Sequence, residues 1–324
     1  MIHQGCRFDV YRMPVVISTE GFEPSPVVGG SALAGFRHLA RTIGDAGFLS
    51  ELVKDPEQAA GHYMSLLPAS LLLMRNGVMI ESLVGMAVAG IDQRELDRLI
   101  ASASLEEGTL REIIRVCSDA EVAQNEPAKM WANESAYSNA IIALGDSWSH
   151  PHNPMLPRVR TYYPLVADIL SKYPLDRLLQ RTIVDALYED ELEEFADEKG
   201  AGMVSLRGGW LRGMGQHNVR LRETRIRAAI ALYERKNGQP PEQLEELVPD
   251  ILPSVPIDPF SGQPMRYERT ETGWKVWSVG ENNLDDYGLV GTGYDAARQH
   301  VWDSPDYVFE SDIPSNLEVR SSRR

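Results

Sequence analysis

Apolar residues return at three- and four-residue spacing from Ser31 to about Ala123, the period of helices that each bury one face. Phe36, Leu39, Ala40 and Ile43 begin the series. Asp55-Pro56-Glu57 reads as an N-cap followed by proline at the first helical position, where its missing N–H is no loss. Long apolar helices are expected over 57–74 and 76–89. Asp92 is expected to cap a further helix carrying Leu96, Leu99 and Ile100. Ser104, with Glu106 and Glu107, opens another that carries Leu110, Ile113, Ile114 and Cys117. Short loops between four or five such helices imply antiparallel neighbours in an α-bundle.

The pattern changes outside this block. Residues 1–30 read as irregular, with a short strand at 15–17 and a Gly/Pro-rich connector over 21–31. A helical piece is expected over 134–144, then a Pro-rich polar loop, then helix again over 165–199. The acid-rich run at 185–198 reads as a solvated helix face. From about 219 a helix carries Ile226, Ala229, Ile230 and Tyr233 on one face and stops at Asn237-Gly238, where glycine accepts a left-handed conformation. A short helix with Leu244, Leu247 and Val248 follows, then an extended passage set by Pro249, Pro253 and Pro256. Asp258-Pro259-Phe260-Ser261-Gly262 is a turn. Residues 265–269 and 274–279 read as a β-hairpin, and 306–309 as a last strand. The expected class is therefore α+β. Its divisions are an irregular segment 1–30, a helical domain 31–200, a Gly/Arg-rich connector 201–218, an α+β module 219–312 and a tail 313–324.

Charge narrows the function. Lys and Arg number 32 against 47 Asp and Glu, a net charge of −15, which repels phosphate backbones and argues against nucleic acid as a partner. Six arginines between Arg207 and Arg227 are the exception; they either neutralise the acidic run or line a surface for a protein partner. Cys6 and Cys117 are too few for a disulfide framework or a cysteine zinc site. The apolar stretches 66–74 and 78–91 fall short of the roughly 20 residues that span a bilayer. The first residues lack the cationic start and apolar run of a signal peptide.

The ordered positions Tyr233, Gly238, Pro241, Leu244, Leu247, Asp258, Pro259, Phe260, Gly262, Tyr267, Ser278, Val279, Gly280, Asp285 and Asp286 carry a resemblance. This stretch is similar to the C-terminal half of type II secretion major pseudopilins, and more so to planctomycete-type bacterial proteins that share the segment. It covers about a third of the chain. The resemblance implies a long helix packed on a small antiparallel sheet, and a place outside the cytoplasmic membrane. Such proteins usually begin with a membrane-anchoring helix. None is read in this chain, so a membrane partner would require an anchor upstream of Met1. The resemblance also implies a structural calcium in the acidic loop, held by Asp285 or Asp286 and Asp306, with the Leu284 carbonyl as a further ligand; Asn282, Asn283 and Asp303 lie in the same stretch. The function expected is non-catalytic, that of a structural or interaction protein.

Two other constellations bear on chemistry. Gly145-Asp146-Ser147 is similar to the opening motif of SGNH-type esterases, which would make Ser147 a nucleophile and His300, with Asp295, its base. His300 follows Asp295 by five residues where that family has three. His150-Pro151-His152, with Asp146 and His217, has ligand types suited to zinc, without a third ligand fixed by spacing. Gly208, Gly209, Gly213 and Gly215 lie near arginines but lack the strand-loop-helix context of a phosphate loop.

Overall fold

The computed structural model describes residues 16–17, 26–27, 30–124, 129–134, 136, 175–180, 201–288, 306–311 and 313. Strands β1 (Val16–Ile17) and β2 (Pro26–Val27) pair antiparallel. Helix α1 (Gly30–Leu52) follows at once and buries Ala40, with Phe36 and Ile43 against Leu66, Leu73, Val84 and Val88. Lys54 turns the chain with a left-handed φ of 62°. Asp55 then caps α2 (Pro56–Asn76) by accepting the Gln58 N–H at 3.0 Å, with Pro56 at the first helical position.

Helix α3 (Met79–Ser102) is where the pattern misleads. A break was expected before Asp92, but the helix runs through it. Gly and Asp lower helix propensity by up to about 1 kcal/mol each, which packing overrides here: Ala89, Leu96, Leu99 and Ile100 all enter one core cluster. Two distant glutamates cap helices. Glu134, in the helical stretch 129–134, accepts the Met79 N–H at 2.8 Å. Glu57 accepts the Glu106 N–H at 2.7 Å and the Thr109 hydroxyl at the start of α4 (Glu107–Gln124). Helix α5 (Leu175–Leu179) is a short piece on the flank.

The segment expected as a connector, 201–218, is the first half of one 37-residue helix, α6 (Ala201–Asn237). At 1.5 Å per residue it is about 55 Å long. Its neighbours set its direction. Trp210 reaches Ser82 and Thr224 reaches Asp97, so α6 runs parallel to α3. Arg222 reaches Glu121 and Arg235 reaches Ser104, so it runs antiparallel to α4. One face of α6 (Trp210, Met214, Leu221, Ala228, Leu232) closes the helical core, where Trp210 meets Trp131 edge to face at 5.5 Å. The other (Val219, Ile226, Ala229, Ile230) closes a second core under the sheet. The two expected domains thus share this helix.

Gly238, at φ 78°, ends α6 as expected. The 3-10 helix Leu244–Leu247 buries both leucines. Strands β3 (Arg266–Arg269), β4 (Trp274–Ser278) and β5 (Tyr307–Glu310) form an antiparallel sheet in that order, with Tyr267 opposite Val276 and Val276 opposite Phe309. Trp274 and Val276 point into the second core.

Candidate functional site

The acidic loop closes this sheet. Asp285 Oδ1 accepts the Trp277 indole N–H and the Tyr287 N–H, both at 3.0 Å, and Oδ2 takes the Arg266 guanidinium at 2.5 Å. Burial works against the charge of Asp285, but these donors outweigh it and hold the carboxyl below the ordinary range. Asp306 precedes β5 and is 6% exposed. Its Oδ2 accepts the Gly288 N–H at 2.9 Å, which fastens the loop to the sheet. Its Oδ1 is buried without a partner. Burial raises its pKa; the Gly288 and Asp286 N–H groups oppose this, and the charges of Asp285 and Asp286 reinforce it. Leu284 is exposed, and its N–H turns back to Asn282 Oδ1.

Of the residues expected to hold calcium, then, Asp306 keeps an open oxygen, with Asp286 beside it. Asp285 is already committed to Arg266 and Trp277. Among the described residues no three of His, Cys, Asp and Glu gather as a ligand set. Asp303 lies outside the described residues. So do Ser147, Asp295 and His300 of the esterase motif, Asp146, His150 and His152 of the histidine motif, Cys6, and the acidic run 185–198.

His217 is an interior residue of α6, 3% exposed, with both ring nitrogens unpartnered. Burial, and secondarily Arg220, push its pKa down to about 3, so the ring is neutral. It stands on the α3–α6 seam between the close approach of Gly213 to Met86 and the Thr224–Asp97 bond. Gln93 stands on α3 along the same seam, also without a partner for its amide.

Of the arginines expected to neutralise the acidic run or to line a partner surface, Arg212, Arg222, Arg225 and Arg227 pair with carboxylates of the fold. Arg222 is buried and binds Glu121 (2.9 Å), Asp176 of α5 (2.5 Å) and the Ile257 carbonyl (2.5 Å). Arg225 pairs with Glu121 and Arg212 with Glu281. Arg227 takes Glu223 at 2.7 Å, lies 4.7 Å over Trp274, and donates to the carbonyls of Glu310 (2.7 Å) and Ser311 (3.3 Å). Gly213 and Gly215 among them are also structural. A Cβ on Gly215 would stand 2.6 Å from Phe260 Cζ, and one on Gly213 would stand 3.2 Å from Met86.

The buried acids Asp97 and Glu223 were missed. They sit on helix stripes beside Leu96 and Arg227, where a charge looks like an interruption of the apolar period. The i, i+4 spacing of Glu223 and Arg227 was the available signal. Also missed was a cleft of about 380 Å³ between α4, the end of α6 and the 3-10 helix. Glu107, Glu246 and Asp250 offset Arg111, Arg235 and Lys236 there, so the cleft has no dominant sign.

These features define a mainly helical α+β protein whose long central helix carries a three-stranded sheet. Comparison with protein families, curated proteins and solved structures returns no match for this chain. No helix among the described residues is long and apolar enough to cross a membrane.

Proposed function

We propose that this is a non-catalytic structural or interaction protein, acting outside the cytoplasm, whose pseudopilin-like C-terminal module is stiffened by calcium. The observation that carries the reading is the unpartnered, buried Oδ1 of Asp306, facing a loop that holds Asp285 and Asp286. A hard divalent cation satisfies such an oxygen and offsets the repulsion that Asp285 and Asp286 exert on Asp306. Asp306 and Asp286 would hold it, with backbone carbonyls of the loop completing the oxygen set. The use of buried charge supports the non-catalytic part: Arg222, Arg227 and Asp258 are all engaged in holding elements together.

A thermal melt with calcium, and with a chelator, tests this. A ligand at 100 times its Kd adds about 2.7 kcal/mol to the folded state. Calcium should raise the midpoint of the wild type, and Asp306→Asn should abolish most of the rise. A midpoint that calcium leaves unchanged overturns the reading.

A further inference from the structure

We propose that Asp97 and Glu223 share one proton across the α3–α6 seam, and that this proton sets an arginine strap fixing the last strand to the long helix. Asp97 is 5% exposed and Glu223 is 1% exposed. Each carboxyl has one clear partner. Asp97 Oδ1 accepts the Thr224 hydroxyl at 2.6 Å, and Glu223 Oε1 accepts the Arg227 Nε–H at 2.7 Å. Glu223 Oε2 receives no donor, yet the Asp97 carboxyl lies within hydrogen-bond reach. Two buried carboxylates at that separation repel. A proton on Asp97 turns the repulsion into an O–H···O⁻ bond and supplies the missing donor.

Among the described residues, Arg227 is the cation that acts on Asp97, and Arg225, near Cys117, pairs with Glu121. From α6, Glu223 and Arg227 face Asp97. From α4, Cys117 lies close, and burial keeps it a neutral thiol. Glu121 of α4 faces Arg222 and Arg225, which it binds. Arg98, next along α3, is held by Glu51 and Glu95. From the sheet side, Glu310 and Ser311 offer only carbonyl oxygens to Arg227, and Trp274 offers its ring face. One guanidinium therefore serves one carboxylate. When Asp97 releases its proton to solvent, a second carboxylate competes for Arg227 and repels Glu223. Arg227 then loses the geometry in which it donates to Glu310 and Ser311.

The consequence has a sign. Burial and the Glu223 charge raise the Asp97 pKa well above the ordinary carboxylate value. The folded state thus holds a proton that the unfolded chain has lost, and stability falls as pH rises until Asp97 ionises. Carboxyl ¹³C NMR on the wild-type protein tests the pair directly. The Asp97 signal should remain protonated where exposed carboxyls have ionised; an Asp97 that titrates with them overturns the proposal. Amide exchange of 306–311, corrected for the intrinsic rate, tests the strap. Protection should fall by about tenfold or more as pH rises through the range in which the Asp97 signal ionises. Asp97→Asn mimics the protonated acid, with Nδ2 donating to Glu223, and should flatten that fall. A variant that keeps the wild-type fall also overturns the proposal. Should the variant not fold, the NMR titration of the wild type decides.

Discussion

Four donors converge on the Asp258 carboxylate, which has no exposure at all. Oδ1 accepts the Ser278 hydroxyl at 2.6 Å and the Phe260 N–H at 3.1 Å. Oδ2 accepts the Ser261 hydroxyl at 2.8 Å and the Val279 N–H at 3.2 Å, with Arg266 at 3.6 Å. The Asp-Pro-Phe-Ser-Gly run exists to place this group. Pro259 biases Asp258 toward extended backbone, and Gly262, at φ 69°, closes the turn by donating to the Asp258 carbonyl. Asp258→Ala strands these donors in a dry site, where each unsatisfied group costs about 1–3 kcal/mol. The terms are not additive, so a total loss of roughly 3–5 kcal/mol is expected in urea unfolding. Ser261→Ala, at a half-buried position, should cost about 1 kcal/mol. Near-equality of the two variants would mean that Asp258 is not the hub of the turn.

At the scale of elements, α6 is the part least legible in the sequence, and its glycines show why. A helix with one apolar face shows a clear period. This helix is covered on two, so Trp210, Met214 and Leu221 interleave with Val219 and Ile226, and the period blurs. Gly208-Gly209, Gly213 and Gly215 then read as a connector. In the fold Gly215 lets Phe260 and Leu179 approach the helix backbone. Gly215→Ala gains up to about 1 kcal/mol of helix propensity but forces a rigid ring aside, at about 1–3 kcal/mol. A net loss in melting temperature is expected. Gly213→Ala meets only the flexible end of Met86, so the same propensity gain should leave it neutral or more stable. Equal shifts for the two would refute the close-approach argument. By contrast the hairpin, the last strand, the Asp55 cap and the Gly238 stop were legible, because each rests on local chemistry that distant residues do not alter. The capping of α3 by Glu134 and of α4 by Glu57 was not legible: those partners lie 55 and 49 residues away from the groups they cap. The candidate site divides the same way. The acidic loop could be located from local residues, but Asp285's commitment to Arg266 could not.

For the whole molecule, the α3–α6 seam carries titratable groups of opposite tendency. Asp97 costs stability as pH rises from the ordinary carboxylate range, and Glu81 and Glu134, whose pKa values burial also raises, act in the same direction. His217 acts in the opposite direction. Its folded pKa of about 3 lies below the ordinary 6.5, so the folded state refuses a proton that the unfolded chain accepts. Stability is therefore full above about pH 6.5 and declines as pH falls towards 3, by up to about 1.4 kcal/mol per unit for this group. His217→Leu removes that decline and also two buried, unpartnered nitrogens. Around pH 7.5 the variant should match or exceed the wild type in urea unfolding. At pH 5.5 its advantage should widen by about 1 kcal/mol, because only the wild type has begun to lose stability through this group. Carboxylates elsewhere titrate in both proteins and cancel in the comparison. Parallel acid limbs for wild type and variant would show that the histidine finds its proton inside the fold, and that the seam is open to water at that level.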